Sequence, residues 1–111
     1  MQAGRELDVK VAEALGYQVN KISPDYFILV DGEIDVLPYF SSRWAGMGLL
    51  MDEALKQGIA FRLETRFMVG SFIDYACLVS DGNRLELASA STAPHATCLA
   101  FSKLKGIETD L

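Results

Sequence analysis

The chain is short of the residues that most often carry chemistry: one histidine, two cysteines and one tryptophan in 111 residues. A zinc site needs three or four converging Cys, His, Asp or Glu side chains. Cys77 and Cys98 have no CxxC or comparable neighbour, so no metal or cofactor is expected and both thiols read as buried and reduced. No GxSxG elbow is present to hold a serine nucleophile. "AGMG" at 45–48 lies inside a helical pattern, not at the strand-to-helix junction a phosphate loop requires. His95, a candidate base or ligand by type, falls in the first turn of a helix. No base, nucleophile and orienting group can be assembled, so catalytic residues are not expected and the chain reads as a non-enzyme.

Cations are scarce too. Ten Lys and Arg stand against fifteen Asp and Glu, a formal charge of −5. A long phosphate backbone would be repelled, which argues against nucleic acid as a partner. No apolar run reaches about 18 residues, the length that spans a bilayer. The opening "MQAGRELDVKVAEALG" meets a charge every few residues, unlike the unbroken apolar stretch of an export signal. A cytoplasmic protein without membrane contact is the expectation.

What is present is apolar substance: half the residues, enough to fill one core over a single domain, 1–111. From about Gly4 to Leu15, apolar residues at 7, 11, 14 and 15 mark a helical stripe, and Gly16 is a natural stop. Residues 17–40 are the least periodic. "DYFILV-DG-EIDVLP" suggests a hairpin closed by Asp31-Gly32, a pair suited to tight turns. A second helix follows "PYFSS", with Ser41 or Ser42 as its cap and Trp44, Met47, Met51, Ala54 and Leu55 on its apolar face. Gly46 and Gly48 weaken it by ~1 kcal/mol each, and a close-packed backbone is one reason to keep them.

"IAFRLETRF" at 59–67 alternates as a strand, with Ile59, Phe61, Leu63, Thr65 and Phe67 on one face and Arg62, Glu64 and Arg66 on the other. A Val69-Gly70 link leads to "SFIDYACLVS", apolar on both faces except Asp74, as a central strand would be. Asp81-Gly82 predicts another tight turn. "NRLELASA" then alternates, with Leu85 and Leu87 expected inward and Arg84 and Glu86 outward. Thr92 and Pro94 open a last helix whose buried stripe is Ala96, Leu99, Ala100 and Leu104, ending at Lys103, Lys105 and Gly106. The expected fold class is α+β, an antiparallel three-stranded sheet with packed helices in the order α, β-hairpin, α-β-β-β-α, an α/β sandwich.

Asp31, Glu33 and Asp35 alternate and could offer oxygens to a hard cation, but charges on an exposed hairpin edge also discourage edge pairing. Aromatic residues concentrate between 26 and 44. Tyr26, Phe27, Leu29, Tyr39, Phe40, Arg43 and Trp44 are the candidate contact residues, because a region both loop-rich and apolar suits a partner.

From residue 43 onward the element order resembles that of double-stranded-RNA-binding domains. Those grip phosphates with lysines at the start of the last helix, where this chain has Thr92-Ala93-Pro94-His95. "AGRELDVKVAEALG" at 3–16, "PYFSS" at 38–42 and "STAPHATCLAFSKL" at 91–104 resemble small phage and prophage proteins carrying the phage ABA sandwich domain. That resemblance implies an α/β sandwich encoded by a phage and implies no catalytic residues. The reading is a phage accessory protein that binds a host or phage protein, with a homodimer through the free edge of the 26–37 hairpin as a further expectation. The alternative is a small-ligand, nucleotide-like sponge using Arg43, Arg62 and Arg66.

Overall fold

A computed structural model gives the fold and describes residues 1–68 and 72–109. The expected Val69-Gly70 link lies outside the described residues. The elements run α1 (Arg5–Leu15), β1 (Gln18–Ile22), β2 (Asp25–Val30), β3 (Glu33–Val36), α2 (Trp44–Lys56), β4 (Ala60–Met68), β5 (Phe72–Ser80), β6 (Leu85–Ala90) and α3 (Ala93–Leu104). They form three helices and two three-stranded antiparallel sheets, β1-β2-β3 and β4-β5-β6. The α+β class and the three-strand meander were legible in the sequence; the strand β1, which turns the hairpin into a second sheet, was not.

The hairpin closes as its sequence demands. Val30 pairs with Glu33, leaving Asp31 and Gly32 as a two-residue loop with φ of 50° and 81°. Two consecutive positive φ values match the twist of the flanking strands, and Asp-Gly accepts them at least cost. At Asp81-Gly82 the loop is wider, because Ser80 pairs with Leu85. Asp81 Oδ1 accepts the N–H groups of Asn83 and Arg84, each at 2.8 Å, and so folds that loop from within.

The core is centred on α3. Nine of its residues are buried, and only the stripe of His95, Leu99 and Lys103 reaches toward solvent, which marks a helix largely enclosed by other layers. It lies across β5 and β6, with α2 beside it over β4, α1 against it, and the first sheet resting on α1. Leu7, Val11, Leu37, Phe40, Leu50, Cys77, Val79 and Phe101 fill the space between. His95 serves this arrangement: its Nε2 lies 2.8 Å from the Met1 carbonyl, while the Met1 amine donates to the Thr109 carbonyl.

One expected orientation is reversed. Leu85 and Leu87 face solvent, and Glu86, Ala88 and Ala90 face α3. The register explains it, since Val79 and Cys77, both buried, pair with Glu86 and Ala88. Small alanines let α3 approach the sheet, and Glu86 at the margin meets Arg84 at 3.1 Å and Lys103 at 3.9 Å. The start of α2 also departs from expectation. Arg43 occupies its N-cap position, and neither serine of "PYFSS" caps it.

Candidate functional site

Ser41 is taken up elsewhere, and its partner is a buried carboxylate. Asp8 has no exposed surface. Its Oδ1 accepts the Ser41 N–H at 2.9 Å and the Ser41 hydroxyl at 2.7 Å, and its Oδ2 meets Arg5 at 2.9 Å. The Ser41 oxygen in turn accepts the Gly4 N–H at 2.9 Å. Arg5 also donates to the carbonyls of Leu37 and Pro38. A buried charge persists only when paired and hydrogen-bonded, and here the pairing ties the 37–41 segment to the start of α1.

Tyr39 lies between two cations. The guanidinium carbons of Arg5 and Arg43 stand 3.7 and 3.8 Å from its ring centroid, too close to share one face. The backbone of Tyr39 and Phe40 then runs tight against α2. A Cβ at Gly46 would overlap the Tyr39 carbonyl and come within 2.9 Å of the Phe40 nitrogen. Close backbone packing therefore accounts for Gly46. Gly48 faces open space.

These contacts sort the candidate residues into separate places. Phe40 is fully enclosed in the core, so it cannot serve as a contact surface as expected; the Gly46 approach presses it inward. Tyr26 turns toward the core side of β2, with the Lys21 amine 5.3 Å from its ring. Tyr39 and Arg43 form the stack on Arg5. Trp44 is 60% exposed and meets Tyr75 edge-on at 6.3 Å. Phe27 and Leu29 share the outward face of the first sheet.

That outward face is the candidate site. Phe27 pairs with Val36, and Leu29 pairs with Ile34. Ile22, one diagonal from Phe27, shares their side. Ile34 is 70% exposed, and Ile22, Leu29 and Val36 are exposed with it. The strand β3 is turned against the usual order: Ile34 and Val36 look outward, while Glu33 and Asp35 take the side of Ile28 and Val30. Sequence alternation located Phe27 and Leu29; the contribution of Ile22 depended on seeing β1.

The arginines expected to greet a small ligand are largely engaged. Arg62 pairs with Glu64 at 3.1 Å, and Arg66 grips Asp74 in a two-pronged pair at 2.9 and 2.7 Å. That guanidinium holds the Asp74 carboxyl below its usual range. Burial pushes both cysteine thiols up, Cys98 well above the ordinary value, so neither is poised as a nucleophile. Among the described residues, no group of three or more His, Cys, Asp or Glu side chains is placed to hold a metal. Among them too, no helix is long and apolar enough to cross a membrane.

A 2.0 Å crystal structure of a phage protein from Bacillus cereus ATCC 14579 matches this fold with a TM-score of 0.68. This chain is similar to that protein in fold. The match covers 91% of this chain and 89% of that one at 18% identity, a likeness of architecture. No protein-family model matches the chain, and no curated protein matches it in sequence.

Proposed function

We propose that the protein is a non-enzymatic phage or prophage accessory protein that acts in the bacterial cytoplasm by binding another protein, host or phage. Its likeness in fold to a phage protein supports the setting, as does the resemblance of segments 3–16, 38–42 and 91–104 to phage ABA sandwich proteins. The observation that carries the binding reading is the outward face of the first sheet. Ile22, Phe27, Leu29, Ile34 and Val36 stand together on the side away from the core. A folded domain seldom leaves such a group uncovered unless something covers it in use. Phe27 adds an aromatic side chain, a type enriched at protein interfaces.

The test replaces a directly opposed pair with opposite charges, Leu29→Lys with Ile34→Glu. The net charge is unchanged, and the new pair can bond across the strands. Tagged wild-type and variant chains would be used to recover partners from cells carrying the phage. A protein held stoichiometrically by wild type and lost by the variant supports the reading. Equal recovery by both chains sinks it, and so does a change in the variant's own oligomeric mass, which would make the face a self-contact.

A further inference from the structure

The second sheet ends on a long strand with a neighbour on one side only. β4 runs nine residues and pairs with β5, and among the described residues no strand pairs with its other edge. Unpaired edges invite another strand, and proteins usually guard them. The remaining edges here are guarded. On β3, a two-fold pairing that uses most of the strand sets Asp35 against Asp35 or Glu33 against Asp35, which repel. On β6, the Lys103 amine donates to the Leu87 carbonyl at 3.3 Å and occupies the edge. β1 carries one charge, Lys21, and so has no opposite sign to offer a copy of itself.

β4 differs in being self-complementary. Its outward residues read Arg62, Glu64, Arg66. In an antiparallel pairing of two copies centred on Leu63, Arg62 faces Glu64 of the second copy, and the same contact repeats across the axis. Centring on Arg62, Glu64 or Arg66 sets like charges together. Centring on Thr65 would draw Arg66 away from Asp74. The Leu63 register keeps that pair intact and uses Arg62 and Glu64, which lie 75% and 47% open.

The other face of the same register places a knob against a hole. Phe67 is 82% exposed and lies on the α2 side of the sheet. Opposite it, in the second copy, comes Ile59. There a cavity of about 240 Å³ opens between α2 and β4, lined by Met51, Asp52, Leu55, Ile59, Ala60 and Phe61. Leu55, itself 65% exposed, would be covered by the incoming ring. We infer that the protein forms a two-fold dimer by antiparallel pairing of β4 with β4 of a second copy about Leu63, with Phe67 of each entering the α2–β4 cavity of the other. The dimer carries a continuous six-stranded sheet and leaves the first sheet's apolar face free on both copies.

The decisive experiment is a mixing test read by sedimentation velocity on the full chain across a dilution series. Wild type should sediment at twice the 12.2 kDa chain mass. Arg62→Glu sets two carboxylates against each other across the axis, and Glu64→Arg sets two guanidinium groups together. Each variant alone should therefore dissociate at least about tenfold more readily. An equimolar mixture of the two variants restores opposite charges across the axis and should recover the dimer. The unfavourable pair within each chain persists in the mixture, so a merely internal role for Arg62 and Glu64 would not be rescued. Phe67→Asp should also give monomers with unchanged circular dichroism. Monomeric wild type, single variants that dimerise as wild type does, or a mixture that stays monomeric would each overturn the proposal. None of these readouts involves the residues of the partner-binding face.

Discussion

The two sheets share a plan and differ in how their open faces are finished. On the second sheet the outer face carries two ion pairs, Arg62 with Glu64 and, where β4 and β5 extend past β6, Arg66 with Asp74, beside the solvent-facing Leu85 and Leu87. On the first sheet the outer face carries Ile22, Phe27, Leu29, Ile34 and Val36 and no cation. The inner faces differ in the opposite sense. The second sheet buries Cys77 and Val79 under α3, whereas in the first sheet Ile28 alone is buried, with Val19, Tyr26 and Val30 half-covered by α1. One sheet holds the core together; the other rests on it and offers a surface. The strand β3, with its carboxylates toward the core side and its apolar residues toward solvent, is what the proposed partner-binding face rests on.

If the first sheet rests on the core, the ties beneath it should matter more to stability than its own outer residues do. The largest effect is expected at Asp8. Asp8→Ala removes the acceptor of two Ser41 donors and leaves Arg5 unbalanced. Breaking a buried pair from one side costs about 3–5 kcal/mol, and the partial exposure of Arg5 places this variant near the lower end. Next is Gly46→Ala, at about 2–3 kcal/mol, since the Tyr39 carbonyl cannot yield without moving the 37–43 segment. Gly48→Ala, two residues along the same helix, meets open space and should stabilise by up to ~1 kcal/mol. Denaturant unfolding of the three variants would measure the ordering. Similar losses at Gly46 and Gly48 would remove the close approach as the cause.

Smaller still is the difference within the first sheet. Ile28→Ala should lose at least about 2 kcal/mol, as buried aliphatic truncations do. Ile34→Ala, on the edge strand β3 and mostly in water, should change stability by less than about 0.5 kcal/mol. If Ile34→Ala proved as harmful as Ile28→Ala, the outer face would be part of the fold instead of a surface, and the contrast between the sheets would fail.

The sequence made plain whatever depends on local pattern. Alternation at 59–67, the Asp-Gly loop at 31–32, the glycine stop of α1 and the proline-led start of α3 all follow from chemistry within a few residues. What escaped depends on distant partners. "QVNKI" has too little apolar content to declare itself a strand, and it becomes one because β2 stands ready to pair with it. Leu85 and Leu87 point outward because α3 needs the small Ala88 and Ala90 beneath it. Ser41 fits an N-cap by type, and only the fold shows that Asp8 claims it first. The same holds for the site: Phe27 and Leu29 were visible as an apolar run, but a face with Ile22, Ile34 and Val36 exists only once three strands are side by side.

The smallest expected effect separates the sheets by acidity. Two carboxyls of the second sheet lie below the ordinary value of 3.8: Asp74, held down by Arg66, and Asp81, held down by the N–H groups of Arg84 and Asn83. A carboxyl whose folded value is depressed adds stability above its unfolded value and loses it as pH falls through the folded one. Both contributions are therefore complete at neutral pH and fade below about pH 4. Asp81→Asn keeps an oxygen to accept the two N–H groups but cannot titrate. It should match wild type in shape at neutral pH and show a shallower loss of stability on acidification. Asp81→Ala, which removes the acceptor, should be less stable already at neutral pH. An acid profile unchanged by Asp81→Asn would mean that the charge at Asp81 contributes nothing to holding β5 against β6.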